Sequence, residues 1–257
     1  KLEIHIFEFQ KFTMKSIYQT NFKNQKVLVR VDFNVPLNSE KIVTDNSRII
    51  AAKKTIDKIL NDGGTAILMS HLGRPKGKDP ELSLIHIVKT VEAVLEKPVL
   101  FTDQVVGEKT TEIVKNSKPG QIVLIENLRY YPQEEEGNNS FAKELSKLAE
   151  SYVNDAFGTA HRAHASTSVV AEFFKGNKFA GDLLLKEVDS IKKVIEDGKK
   201  PVLAILGGAK VSSKITIINN IIDKIDKLII GGGMAFTFIK AQGGKIGASI
   251  CENDKID

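Results

Sequence analysis

The chain is poor in the residues that mark several common classes of protein. Of its 257 residues only Cys251 is a cysteine, and none is a tryptophan. A single cysteine excludes an internal disulfide and a thiolate metal site, and it fits a reducing compartment. No stretch approaches the roughly 20 uninterrupted apolar residues of a membrane helix, and the opening KLEIHIFEFQKFT has no apolar block followed by a small-residue cleavage site. We therefore expect a soluble, cytoplasmic protein.

Arginine is also scarce. The formal charge of +5 and the pI near 9.0 indicate acidic partners, but only five of the 37 basic residues are arginines. They are Arg30, Arg48, Arg74, Arg129 and Arg162. Because a guanidinium group binds phosphate or carboxylate through a planar fork of donors, we expect a lysine-rich chain to retain arginine where that geometry matters. Any one of them taken alone is better explained as an ordinary surface residue.

From Met14 onward, short β-branched runs alternate with longer periodic segments, and residues 1–13 are excluded from the fold. The pattern predicts strands at 26–33, 65–70, 98–101, 121–126 and 151–155, with helices at 46–61, 82–96 and 141–150 and a periodic stretch ending near Asn116. Uniformly apolar strands separated by helices are typical of a parallel sheet covered on both faces. The predicted class is therefore α/β, and the length allows one large domain or two smaller ones with a cleft.

A second α/β unit follows a connecting helix. Residues 182–197 predict that helix behind an N-terminal Asp, with an apolar stripe formed by Leu184, Val188, Ile191 and Ile195. After Pro201 the pattern restarts with a strand at 201–206, a helix from Lys210, a strand at 227–230 and a helix after 231–233. Two strands are too few to bury both faces of a sheet. We therefore expect the second unit, and with it the chain, to be incomplete.

Ligands of an open parallel sheet bind beyond the carboxyl ends of its strands, which we call the carboxyl edge. The predicted strands end in loops that carry polar and cationic side chains: Asp32 and Asn34; His71, Gly73 and Arg74; Arg129; His161 and Arg162. Several cation-bearing loops at one edge indicate a binding site more strongly than a single arginine does. We expect these side chains to converge there.

Arg48 stands at an unusual place for a cation. It follows Asn46, a favourable N-cap residue, so its charge falls in the first helical turn, where the helix dipole disfavours cations. A bound anion would offset this penalty, because free N–H groups and the arginine would both point toward it. A solvated side chain with a negligible penalty is the alternative.

The stretch NDAFGTAHRAHAST (154–167) is open to three interpretations. A metal site at His161 and His164 would need a third protein ligand, and no matching Cys or His lies nearby. A proton-transferring histidine would need an orienting carboxylate such as Asp155, and Arg162 would depress its imidazolium form. A cationic cradle for an acidic ligand requires only the residues present, and we favour it. For His164 alone, a hydrogen-bonded and half-buried structural role is the better explanation.

The second unit contains two glycine turns. AILGGAKVSSK (204–214) predicts a strand, a turn and a helix that opens with Lys210 and Lys214 four residues apart, and two like charges there require a counter-anion. The Walker spacing is absent. LIIGGGMAF (228–236) begins like a dinucleotide-binding turn but has Phe236 at the third small position, so the match is weak. Either turn is also compatible with a tight connection that binds no ligand.

Together, seven motifs resemble those of phosphoglycerate kinases and occur in the order of that family. They are VRVDFNVP, DNSRIIAA, SHLGRPKG, LIENLRYYPQEEEG, YVNDAFGTAHRAHAST, LAILGGAKVSSK and IIGGGMAFTF, covering essentially Met14 to Cys251. The resemblance implies two Rossmann-like domains joined by a helix and a hinge. Residues 14–181 would bind phosphoglycerate, 182–198 would form the interdomain helix, and 199–257 would be the first part of a nucleotide-binding domain.

The resemblance also implies the reaction, the ligands and their residues. The reaction is reversible phosphoryl transfer between 1,3-bisphosphoglycerate and Mg-ADP, giving 3-phosphoglycerate and Mg-ATP. The implied phosphoglycerate-binding residues are Asp32, Asn34, Arg48, His71, Gly73, Arg74, Arg129, His161 and Arg162. The implied nucleotide-binding residues are Gly208, Ala209, Lys210, Lys214, Gly232 and Gly233. Arg48 and Lys210 would be catalytic, and Mg²⁺ would arrive with the nucleotide. A full-length member is expected to be a monomer without nucleic-acid or membrane partners.

Two other classes of function compete with the kinase. The pI of about 9.0 suggests a nucleic-acid-binding module, whose binding would weaken steeply with salt. The chain lacks tryptophan and any interleaving of aromatic with basic residues, so we disfavour this class. The unfinished second unit suggests a non-catalytic fragment that retains phosphoglycerate binding, since family members continue through further strands and a metal-holding acidic turn.

Overall fold

The first part of the chain folds around a parallel sheet. The structure, a computed structural model, describes residues 15–195 and 198–256, which divide into two compact units between Glu187 and Val188. The strands of the first unit are β1 (Lys15–Ser16), β2 (Lys26–Arg30), β3 (Thr65–Met69), β4 (Val99–Thr102), β5 (Ile122–Ile125), β6 (Ser151–Asn154) and β7 (Lys178–Ala180). All pair in parallel in the order β1-β7-β6-β2-β3-β5-β4. The predicted α/β class is confirmed.

Helices cover both faces of this sheet. They are α1 (Ser47–Asn61), α2 (Val88–Leu95), α3 (Glu108–Asn116), α4 (Pro132–Glu135), α5 (Asn139–Ser146) and α6 (Asp182–Ile195). Val27 and Val29 of β2 pack in a core with α1 and α2, whereas the intervening Leu28 packs in a second core with α3 and α5. Successive side chains of a strand point to opposite faces, so uniformly apolar strands require a core on each side. Burying each such side chain contributes about 1.5–3 kcal/mol.

The sequence pattern missed some elements and overextended others. It did not predict β1 and β7, because strands of two or three residues have no readable periodicity. The helix predicted at 82–96 is interrupted: Ser83 accepts a hydrogen bond from the Ile85 N–H and starts a short 3₁₀ turn, and α2 begins only at Val88. The extension at residues 1–13 lies outside the described residues. Among the described residues, no helix is long and apolar enough to cross a membrane.

The second unit contains β8 (Leu203–Gly207) and β9 (Lys227–Gly231), paired in parallel, with α7 (Ile215–Ile221) and α8 (Met234–Ala241). Its small core forms around Val211, Ile218 and Met234 on one face of the sheet. On the other face, Ile205 is 68% exposed. Between residues 198 and 256 the structure therefore has the two strands that the sequence predicts.

The connecting helix differs from its prediction. Leu184 is buried in the first unit, but Ile191 of the predicted stripe is 43% exposed. Ile191 instead lines an apolar groove of the second unit together with Val194, Leu203 and Ile221. The boundary between the units falls inside α6. Residues at the start of the apolar stripe therefore pack in the first unit, and later ones line the groove of the second unit.

Candidate functional site

Sheet order brings the predicted loops of the first unit to one place. Strands β6, β2, β3 and β5 are consecutive neighbours and all parallel, so their carboxyl ends share one edge. Backbone hydrogen bonds continue past the strand ends, with the Val31 N–H donating to the Met69 carbonyl at 3.1 Å and the Asp155 N–H donating to the Arg30 carbonyl at 2.9 Å. The predicted side chains thus start from an ordered scaffold.

Gly73 links three of the predicted residues. Its N–H donates to Asn34 Oδ1 at 2.8 Å, and its carbonyl accepts from Arg129 Nη1 at 2.8 Å. Gly73 has a φ of +62°, and an added Cβ would lie 2.9 Å from both terminal methyl groups of Leu82. A side chain at this position would therefore strain the backbone and displace the contact that aims the Arg129 guanidinium.

Asn127 shapes the loop that carries Arg129. Its Oδ1 accepts from the N–H groups of Arg129 and Leu72 at 3.1 and 3.2 Å, and its Nδ2 donates to the carbonyls of Leu72 and Leu82, each at 2.8 Å. One buried amide thus joins the loops after β3 and β5. Burial, opposed by Glu135, lowers the pKa of Arg129. Sequence analysis missed Asn127, although its place in ENLRYYP beside Arg129 was a usable indication.

Arg48 lies in the first turn of α1, as predicted, but its surroundings differ from the expectation. Its Nη1 donates to Asp32 Oδ2, so a carboxylate of the protein offsets the charge that was expected to require a bound anion. The Asn46 side chain makes no capping hydrogen bond; Asp45 accepts from the Ser47 N–H at 2.9 Å instead. Half of the Arg48 side chain is exposed beside a cavity of about 360 Å³.

His71 is neutral, so it can donate a hydrogen bond at this edge but adds no positive charge to that of the arginines. It is buried, and that burial, with Arg30 the next cause, lowers its pKa to about 2. Arg30 Nη2 lies 3.2 Å from His71 Nδ1. A guanidinium group has donors only, so Nδ1 must accept and the proton must reside on Nε2. Sequence analysis did not place Arg30 in the site, because a buried arginine inside VLVRVDF looks like an interruption of a strand.

The loop after β6 has one unsatisfied cation and two different histidines. Within the described residues, Arg162 Nε is buried without a hydrogen-bond partner, so this donor is unsatisfied. His161 and Arg74 are exposed. His164 is buried, with Nδ1 3.8 Å from Glu134 Oε1, and burial lowers its pKa.

The carboxylate beside these histidines differs from the one expected. The expected orienting carboxylate, Asp155, accepts from the Leu184 N–H at 3.2 Å instead, and Glu134 is the carboxylate beside His164. No group of three or more metal-binding side chains occurs in the part of the chain that the structure describes. The cationic-cradle interpretation remains a prediction.

The two glycine turns of the second unit pack directly against each other. Gly232 has a φ of +70°, and an added Cβ would lie 2.8 Å from the Gly208 carbonyl oxygen. The Met234 N–H donates to that carbonyl at 2.8 Å. Gly233 also has no room for a side chain, because a Cβ there would lie 2.2 Å from Ile250. This close approach explains the absence of side chains at these positions without requiring a ligand.

The predicted helix from Lys210 is wrong. α7 begins at Ile215, Lys214 is its N-cap residue, and Lys210 lies in the preceding exposed loop, so the two lysines are not a helical i, i+4 pair. Glu252 fixes this loop by accepting from the N–H and hydroxyl of Ser212 at 2.9 and 2.6 Å. Ala209 is also exposed there. Ordering by a distant carboxylate is not visible in the local sequence.

The fold and the site define a class: an open parallel α/β protein with arginines and polar loops at the carboxyl edge of its first sheet. A model of the family described as phosphoglycerate kinase matches residues 17–257. The phosphoglycerate kinases of Porphyromonas gingivalis and Clostridium novyi are 46% and 48% identical to the chain, over 94% and 96% of its length. The chain belongs to the phosphoglycerate kinase family.

Solved structures of phosphoglycerate kinases are similar in fold to the chain. The structure of phosphoglycerate kinase from Coxiella burnetii superposes with a TM-score of 0.79 at 39% identity and covers 95% of the chain, and that from Pyrococcus horikoshii gives 0.78 at 28% identity over 91%. The chain spans 64% and 62% of the two curated relatives and 61% of the Coxiella structure. It therefore corresponds to about three fifths of its relatives' length.

Proposed function

We propose that the carboxyl edge of the first sheet binds 3-phosphoglycerate. We further propose that, in a protein of the relatives' full length, the site takes part in reversible phosphoryl transfer between 1,3-bisphosphoglycerate and Mg-ADP. The main support is the buried Nε of Arg162, which has no partner among the described residues. Buried polar groups are usually hydrogen-bonded, so an unsatisfied arginine donor at this edge favours a missing partner, and phosphate and carboxylate are the groups that a guanidinium binds best.

The ligand-binding residues would divide by chemistry. The guanidinium groups of Arg48, Arg129 and Arg162 would neutralise the anion, while neutral His71 would donate from Nε2. The full proposed set is Asp32, Asn34, Arg48, His71, Gly73, Arg74, Arg129, His161 and Arg162. Asn34 and Gly73 would act mainly by holding the loop of Arg129, as their hydrogen bonds indicate.

Arg48 would be the catalytic cation. Its guanidinium contacts Asp32 and is half exposed, so part of it is accessible to an incoming phosphoryl group. Phosphoryl transfer offers little covalent chemistry to a protein, so positioning and charge stabilisation dominate. Gly208, Ala209, Lys210, Lys214, Gly232 and Gly233 are proposed for the nucleotide, with Lys210 also catalytic and Mg²⁺ bound as part of the nucleotide substrate.

Calorimetry on the 257-residue chain tests the binding proposal. We expect 3-phosphoglycerate to bind, Arg162→Ala to weaken it at least tenfold, and Lys143→Ala on the exposed face of α5 to leave it unchanged, since hydrogen bonds to charged groups are worth about 1.5–3 kcal/mol. No binding by the unaltered chain would contradict the proposal. Binding that falls steeply with salt and is displaced by an oligonucleotide would favour the nucleic-acid alternative.

A coupled kinase assay separates the enzyme from a phosphoglycerate-binding fragment. We expect this chain alone to bind 3-phosphoglycerate without turnover, because phosphoryl transfer requires both substrates in line, and positioning supplies about 7–11 kcal/mol. In a protein of full family length, Arg48→Ala should lower kcat about 10³–10⁵-fold, and Arg48→Lys should restore only part of it. A normal kcat with a raised KM would show that Arg48 only binds substrate.

A further inference from the structure

A buried relay of hydrogen bonds runs behind His71. Glu134 accepts from Ser166 twice, from the hydroxyl at 2.6 Å and from the N–H at 2.9 Å. The same Ser166 hydroxyl oxygen accepts from Arg30 Nε at 2.8 Å. Arg30 Nη2 in turn reaches His71 Nδ1 at 3.2 Å, and its Nη1 donates to the Val31 carbonyl. Each of the three nitrogens of the Arg30 guanidinium thus has a different partner.

All four side chains are removed from solvent. Ser166 is fully buried, Arg30 and Glu134 are each 1% exposed, and His71 is 5% exposed. Burial lowers the pKa of Arg30, and Glu134 provides the largest opposing effect. A buried guanidinium requires a counter-charge. Glu134 supplies it through Ser166 and not through a direct ion pair.

The direction of these bonds fixes the proton of the imidazole. Serine Oγ donates its hydrogen to Glu134, so its lone pairs are free to accept from Arg30 Nε. Arg30 then donates to Nδ1 of His71, which must be unprotonated. The remaining nitrogen, Nε2, carries the proton, and no hydrogen bond within residues 15–195 and 198–256 occupies it. The second nitrogen of a histidine determines the state of the first.

We propose that Glu134 and Ser166 are positioning residues, which hold Arg30 so that His71 keeps its Nε2–H tautomer and presents that hydrogen to an oxyanion of the bound ligand. The proposal deepens the proposed function, on which its ligand rests. Neither residue belongs to the predicted site. Glu134 accepts from both the N–H and the hydroxyl of Ser166, so the two residues hold each other in place.

Two variants break the relay, and each has a matched control. Glu134→Gln removes the counter-charge with little change in shape, and Glu136→Gln removes an exposed charge from the residue that caps the same short helix. Ser166→Ala removes the bridging hydroxyl, and Ser168→Ala removes an exposed one nearby. Circular dichroism melts identify any variant that fails to fold. If Glu134→Gln does, Ser166→Ala still tests the same link with both charged side chains retained.

Nitrogen-15 NMR of the imidazole in the 257-residue chain reads the tautomer directly, with His71 assigned by comparison with His71→Gln. In the unaltered chain and both controls we expect Nδ1 unprotonated and Nε2 protonated. In Glu134→Gln and Ser166→Ala we expect the two signals to move toward a mixture of tautomers. A purely structural role would leave them unchanged in variants that still fold. A protonated Nδ1 in the unaltered chain would overturn the proposal.

Calorimetry with 3-phosphoglycerate on the same samples tests the consequence. We expect an affinity about 10- to 100-fold lower in both relay variants, the range seen when outer partners of metal-bound histidines are removed. Unchanged affinity with a relaxed tautomer would overturn the positioning role. If the unaltered chain shows the Nε2–H tautomer but binds no 3-phosphoglycerate, the proposed function fails, while the orientation of His71 by the relay stands.

Discussion

Asp155 offers a test of how burial at the carboxyl edge affects stability. It is fully buried at the end of β6, and its Oδ1 accepts from the Leu184 N–H at 3.2 Å. Its Oδ2 is buried without a hydrogen-bond partner in the described part of the chain. Burial raises the pKa of Asp155 to about 6 from the ordinary 3.8, although hydrogen bonds from Thr55 and the α6 backbone oppose the rise.

The direction in which the free energy of unfolding changes with pH follows from which state of the chain binds the proton. Below about pH 4 both the native and the unfolded chain hold the proton, so the carboxyl imposes no penalty. As the pH rises toward about 6, the unfolded chain releases the proton while the native chain retains it, and the free energy of unfolding falls. Above about pH 6 the penalty is complete. The difference between 3.8 and about 6 corresponds to about 3 kcal/mol.

Asp155→Asn should remove this penalty, because asparagine has the shape of the protonated acid. Its amide nitrogen would replace an oxygen that already lacks a partner, so no hydrogen bond is lost. We expect the variant and the unaltered chain to be equally stable near pH 4, and the variant to be more stable by up to about 3 kcal/mol near pH 8.

Urea unfolding followed by circular dichroism across this pH range gives the measurement. Asp189→Asn, an exposed substitution on α6, is the control and should show no pH-dependent difference from the unaltered chain. The reasoning would be refuted by a difference between Asp155→Asn and the unaltered chain that stays constant with pH. A difference that grows toward low pH would refute it equally.

Three further substitutions test the packing of the first unit by the same unfolding measurement. Gly137→Ala should destabilise it by more than 1 kcal/mol, since φ is +64° and the new Cβ would lie 2.4 Å from the Ala163 carbonyl oxygen; stability close to that of the unaltered chain would contradict this. Leu68→Ala, at a fully buried position of β3, should cost about 2–5 kcal/mol, and a loss below 1 kcal/mol would be inconsistent with a close-packed core. Lys147→Ala breaks an exposed ion pair with Glu144 and should change stability by no more than about 0.5 kcal/mol.

The sequence alone determined the class of fold, and it selected the loops that are proposed to carry the site. Runs such as TAILM in β3, buried on both faces, predict parallel strands because only a sheet with helices on each side buries every residue of a strand. The rule that ligands bind at the carboxyl ends of parallel strands then selected Arg129 and Arg162 as candidate binding residues. Local pattern and topology rules suffice for both conclusions.

Only the tertiary structure decided the charge and contacts of individual side chains. His71 is neutral because it is buried and because Arg30, 41 residues away, lies beside it, and Arg48 is offset by Asp32, 16 residues away. In the second unit, the loop that carries Lys210 is held by Glu252 and is not part of a helix. Periodicity records which side of an element is buried. Protonation and hydrogen-bond partners depend on which distant segments meet in space, and the folded chain alone specifies that.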